Sequence, residues 1–174
     1  MCDLGDPCER ERTSLGPPSP GTIDNDERLI RVVYDPLHLN PKKTAIKKGV
    51  IRADHLLNGE LSVWRANLDD AARIEATKTY LQEHKPDGQE ILHFATLSVQ
   101  RIRETPDLQG VRLFCVRDDT SIDNEGGRHA EHATIGFCAL LGDPYKSQES
   151  SEFIFARDFL HAEIQNAVSA GECV

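Results

Sequence analysis

The stretch that decides the fold is VRLFCVRDDTSIDNEGGRHAEHATIGFCALL, residues 111–141. It opens with an apolar, β-branched run, passes through a polar loop with a Gly126-Gly127 pair, and closes with a second apolar run. Two strands joined by a long connection are the expectation. Around them the chain supplies further strands but no regular alternation with helices. Leu29–Tyr34 is β-branched and aromatic and is stopped by Pro36. Glu60–Ala66 alternates Leu61, Val63 and Arg65 with Ser62 and Trp64. Ile91–Val99 alternates Leu92, Phe94 and Thr96 with His93, Ala95 and Leu97.

Helices are expected in three places. Asn67, with Asp70 in an acidic first turn, starts one whose face carries Ala71, Ile74, Lys78 and Leu81, ending near His84 before Pro86 and Gly88. Ser98 caps a short one from Val99 to Glu104, halted by Pro106. From Ser151 to Ser169, Phe153, Ala156, Leu160, Ile164 and Ala167 keep helical spacing. A short helix or strand near Thr44–Ile51 is also compatible with the sequence. Five strands and about three helices without strict alternation read as α+β: one mixed or antiparallel sheet with helices packed on it.

A chain of 174 residues suits one domain, with an apolar fraction of 39% and a charged fraction of 28%. Residues 1–27 read as a flexible tail: GPPSPG, seven acids (Asp3, Asp6, Glu9, Glu11, Asp24, Asp26, Glu27) and only Arg10 and Arg12 in return. That tail holds −5 of the net −9, leaving a nearly balanced domain over 28–174. The acidic balance argues against a general nucleic-acid or membrane-surface binder, because phosphate surfaces select basic faces. No apolar run reaches the roughly 20 residues needed to span a bilayer, and the N-terminus lacks the order of a signal peptide. Five scattered cysteines do not form a disulfide framework, so reduced thiols and a cytoplasmic setting are expected.

Candidate chemistry gathers in the 111–141 stretch. His129 and His132, three apart, follow Asp118, Asp119, Asp123 and Glu125. The histidines could bind a divalent metal or supply a base, yet the metalloprotease zinc motif, with histidines four apart, is absent. The acids and Glu131 read as loop solvation. Cys115, His129, His132 and Cys138 are a conceivable zinc set, but both thiols lie in apolar strands and no CxxC knuckle is present. The basic run Lys42, Lys43, Lys47, Lys48 and Arg52 reads as a solvated loop. Arg65 lies inside an apolar strand and needs an anionic partner, either a protein carboxylate or a bound phosphate or carboxylate. Nucleophile motifs, phosphate loops and dinucleotide fingerprints are missing. Ser62, His132 and Asp119 are the right types for a triad, but their spacing carries no signal.

The segments RLIRVVYDPLHLNP, ELSVWRANL, and VRLFCVRDD followed by HATIGF resemble a family of small bacterial proteins that share an L-S-V-x-R strand and a late H-A-x-I-x-G segment. The resemblance spans roughly residues 29–138 and singles out His38, Ser62, Arg65 and His132. It implies no activity. The chain departs from it by an insertion around Ser121–Arg128 and by a longer C-terminal helix.

The expectation is a polar cleft where His132 and Arg65 are the catalytic pair and His38 and Ser62 hold the substrate, an anionic small molecule or a nucleotide. Transferase or hydrolase chemistry would follow, with no cofactor and no metal. Arg65 would fix the anion and His132 would act as acid, base or donor. The alternative is a non-catalytic interaction protein that presents the loop from Asp118 to Glu131. A further alternative is a small zinc-stabilised domain. The cleft reading requires its residues to converge in one pocket.

Overall fold

Arg28–Asp35, the run RLIRVVYD, forms a central strand because its apolar side chains bury on both faces. In the computed structural model, which describes residues 4–5, 11–12, 20–66, 70–119, 121–122, 128–138 and 147–171, this is β1. After it come a 3-10 turn at Lys48–Val50, α1 (Ala53–Asn58), β2 (Leu61–Ala66), α2 (Ala71–Glu83), β3 (Glu90–Ser98) and α3 (Val99–Arg103). Then follow β4 (Phe114–Asp118), the two-residue strands β5 (Ser121–Ile122) and β6 (Arg128–His129), β7 (His132–Phe137) and α4 (Ser151–Ala170).

The five long strands make one antiparallel sheet in the order β3-β1-β2-β7-β4, and β5 and β6 form a separate ribbon. The fold is therefore α+β, with the sheet antiparallel throughout. One face carries the larger core. Leu29 and Val33 of β1, Leu61 and Val63 of β2, and Ala133 and Ile135 of β7 pack there against Phe153, Ala156, Leu160 and Ile164 of α4. Residues at the same strand positions shifted by one point the other way. Ile30, Val32, Trp64 and Ala66 form a smaller cluster under Ile74 and Leu81 of α2.

Helix ends follow local chemistry. Asp70 caps α2 by accepting from the Arg73 backbone, and His84 closes it. The cap expected at Asn67 lies outside the described residues. Ser98 caps α3 and Ser150 caps α4 in the same way. The segment 44–51 resolves to an isolated bridge of Ile46 with Leu39 and the 3-10 turn.

Part of the expected tail is placed against the domain. Ile23 is fully buried in the larger core. Glu11, also buried, accepts from the guanidinium groups of Arg103 and Arg112 and from the Val116 backbone at the edge of β4. Glu11 is thus buried by ion pairing, which a hydrophobicity reading does not register.

The basic run is mostly spoken for. Lys43 pairs with Asp35, Lys48 with Asp158 at 2.5 Å, and Arg52 with Asp54 at 2.6 Å, while Lys47 donates to the Pro36 carbonyl. None of the helices among the described residues is long and apolar enough to cross a membrane.

Candidate functional site

The β2–β7 register places Ser62 opposite Thr134 and Trp64 opposite His132. Ser62 and His132 are therefore diagonal neighbours on the α2 face, a separation that long side chains bridge. They do so here, with Ser62 Oγ 2.7 Å from His132 Nε2. The other ring nitrogen, Nδ1, meets the backbone carbonyl of Asp119. A carbonyl only accepts, so Nδ1 carries the proton. Nε2 then holds a lone pair, and the Ser62 hydroxyl donates to it. Burial pushes the His132 pKa below its ordinary value, with the bond to the Asp119 carbonyl opposing. The imidazole is thus a neutral base at pH 7, held in one tautomer and aimed at a hydroxyl.

This pair opens into a cleft of about 290 Å³ between β1, β2 and α2. Trp64, Tyr80 and His84 are among the residues that line it. The rings form a chain. Trp64 meets His132 edge-on at 5.2 Å and His129 at 4.7 Å, and Tyr80 stacks on His84 at 4.1 Å. Arg31, Tyr34 and Val32 supply the β1 side. β1 and β2 pair only from Arg28↔Ala66 to Ile30↔Trp64. Beyond that point Arg31 reaches across, donating through Nη1 to the Ser62 carbonyl and through Nε and Nη2 to the Val50 carbonyl.

Of the four expected site residues, Ser62 and His132 come together and the other two do not join them. Arg65 is one position out of phase with Ser62 and Trp64, so it lies on the opposite face. There it is bidentate to Glu27 at 2.6 and 2.9 Å, donates to the Gly21 carbonyl, and stands 3.4 Å from Asp118. Its anionic partners are protein carboxylates, and the expected His132–Arg65 cleft is not formed. His38 is buried beside Tyr34, where Nδ1 accepts from the Tyr34 backbone at 3.1 Å, and it does not line the cleft.

The loop acids also have structural partners. Asp118 faces Arg65, and Glu131 pairs with Arg73 at 2.5 Å. Asp123 and Glu125 lie outside the described residues. Among the described residues no three metal-ligating side chains gather, and Cys138 is disulfide-bonded. The zinc set of Cys115, His129, His132 and Cys138 is therefore not assembled. The bridged Cys138 also departs from the expectation of reduced thiols and removes the cysteine argument for a reducing compartment. Cys115 is buried within β4.

Sequence reasoning passed over Arg31, although the logic applied to Arg65 covers it: an arginine within an apolar strand. It also gave no weight to Asp119, whose backbone carbonyl holds the His132 ring and whose charge opposes the effect of burial on it. No protein-family model, curated protein or solved structure matches the chain, so the chemistry rests on this geometry.

Proposed function

We propose that the cleft is the active site of a small hydrolase or acyl transferase, with Ser62 as nucleophile and His132 as its base. The observation that carries the reading is the 2.7 Å Ser62 Oγ–His132 Nε2 contact, its tautomer set by the Asp119 carbonyl, at the wall of an open cleft. In the step envisaged, Ser62 Oγ bonds to the acyl carbon of an ester while its proton passes to Nε2. The alkoxide leaving group then takes that proton as its bond to carbon breaks. Water, deprotonated by the same nitrogen, cleaves the acyl-serine and returns the enzyme. The Asp119 carbonyl takes the orienting place that a carboxylate holds in a full triad. It carries no full charge itself, and the Asp119 carboxylate supports an imidazolium only through space.

The test is covalent labelling with a fluorophosphonate, followed by peptide mass mapping. Labelling at Ser62 that is lost in Ser62→Ala and strongly slowed in His132→Gln is expected. An unlabelled wild type, folded by circular dichroism, would make the pair a buried polar network. The non-catalytic reading, an interaction protein presenting the β4–β7 connection, would then take its place.

A further inference from the structure

Among the described residues, Arg31 is the one ionised side chain lining this cleft, and no carboxylate pairs with it. Its acceptors are two neutral carbonyls, of Val50 and Ser62, and they occupy three of its five N–H groups. Among the described residues no carboxylate lines the cleft, in a chain whose net charge is −9. The arginines classed as buried show the contrast: Arg65 has Glu27 and Asp118, and Arg103 and Arg112 share Glu11. A desolvated guanidinium without a counter-charge is costly. Burial lowers the Arg31 pKa to about 10, leaving it fully charged at neutral pH.

We infer that the missing counter-charge is the ligand's: Arg31, with Tyr34 beside it, receives an oxyanion, so the cleft takes a small molecule pairing a carboxylate or phosphate with an apolar or aromatic body. This rests on the cleft being the active site and names its substrate class. Tyr34 suits the role because burial raises its phenol pKa, with Arg31 opposing, and it stays a hydrogen-bond donor. The apolar body would lie along Trp64, Val32 and Leu81. Because Arg31 holds the carbonyl of Ser62 itself, the bound anion would be fixed close to the attacking hydroxyl, a positioning that favours attack on an ester within the same molecule.

Trp64 is the only tryptophan in the chain and lies in the cleft, so its fluorescence reports occupancy directly. Wild type would be titrated with benzoate, phenyl phosphate and neutral benzamide. Saturable quenching by at least one anion and not by benzamide is expected, and the preferred anion tells carboxylate from phosphate. Arg31→Gln should weaken that binding about 10- to 100-fold, the range for losing hydrogen bonds to a charged group. Arg31→Lys should keep the preference for anions at reduced affinity, and it decides the matter if the glutamine variant does not fold. Ser62→Ala should bind as wild type does. Benzamide binding as tightly as the anions, no quenching by any of the three, or anion affinity unchanged in the Arg31 variants overturns the inference, even if Ser62 labels. Arg31-dependent anion binding without labelling of Ser62 removes the nucleophile reading and leaves this one standing.

Discussion

Replacing Arg65 with methionine separates a structural arginine from a catalytic one. Arg65 is 7% exposed, and its partners Glu27 and Asp118 have side chains only 12% and 1% exposed. Methionine roughly preserves the stem but removes the charge that Glu27 and Asp118 share. Breaking a buried pair by deleting one partner costs about 3–5 kcal/mol. At roughly 2–4 °C per kcal/mol for a domain of this size, that lowers Tm by about 6–20 °C. Burial already raises the Asp118 pKa, with Arg65 the main opposing influence. Without Arg65 its pKa should rise further, so the variant should lose less stability in acid than at neutral pH. For a carboxylate whose folded pKa lies above its unfolded one, the folded state binds the extra proton, and stability falls as pH climbs through that interval. Urea denaturation of both proteins at acid and neutral pH measures the effect. Fluorophosphonate labelling of the folded variant should proceed at the wild-type rate. A variant as stable as wild type, or one that folds normally but fails to label, would refute the assignment of Arg65 to the core.

Four further outcomes follow from the same geometry. Burial, reinforced by the charge of Arg31, lowers the His38 pKa to about 4 from 6.5, so the unfolded chain takes up a proton that the folded one refuses. Stability is then complete above pH 6.5 and declines by about 3 kcal/mol as pH falls towards 4, a slope that His38→Gln should flatten in urea titrations. His132 is depressed in the same direction, so labelling of Ser62 should persist below the usual histidine midpoint in a pH–rate profile; a midpoint at or above 6.5 contradicts the buried, neutral imidazole. Thr134 Oγ1, opposite Ser62, is buried without a hydrogen-bond partner among the described residues, and Thr134→Val should raise stability by roughly 1 kcal/mol in thermal melts. A Cβ on Gly136 would come within 2.5 Å of the Gly59 backbone, so Gly136→Ala should cost about 1–3 kcal/mol, checked by the same melts.

The fold was largely legible because its elements are written in local patterns. The α4 stripe of Phe153, Ala156, Leu160 and Ile164, the Ser98 cap and the alternation of β2 all report on their own neighbourhood. The docked residues of the N-terminal stretch were not legible for the opposite reason. Glu11 is separated by about a hundred residues from Arg112 and Val116, and a charged residue in a Pro/Gly-rich context gives no hint that two distant guanidinium groups will bury it. The split between β1 and β2 after Ile30, which makes room for the cleft, is likewise set by tertiary pairing alone.

The site was half legible, and the missing half turns on register and on where strand pairing ends. Arg31 and Arg65 are the same residue type in neighbouring strands, each embedded in apolar sequence, and composition cannot tell them apart. Register can. β1 pairs Leu29 with Arg65, which sets Arg65 on the α4 face towards Glu27 and Asp118. Arg31 lies past the last β1–β2 pair, where no β2 residue stands opposite it and its guanidinium turns into the gap beside Ser62. One arginine is thereby neutralised by the protein while the other keeps its charge. The same pairing logic, Ser62 against Thr134 and Trp64 against His132, is what brings a serine and a histidine seventy residues apart to 2.7 Å. In this chain the candidate chemistry is a property of strand register, which is why its residue types were visible in the sequence and their partnership was not.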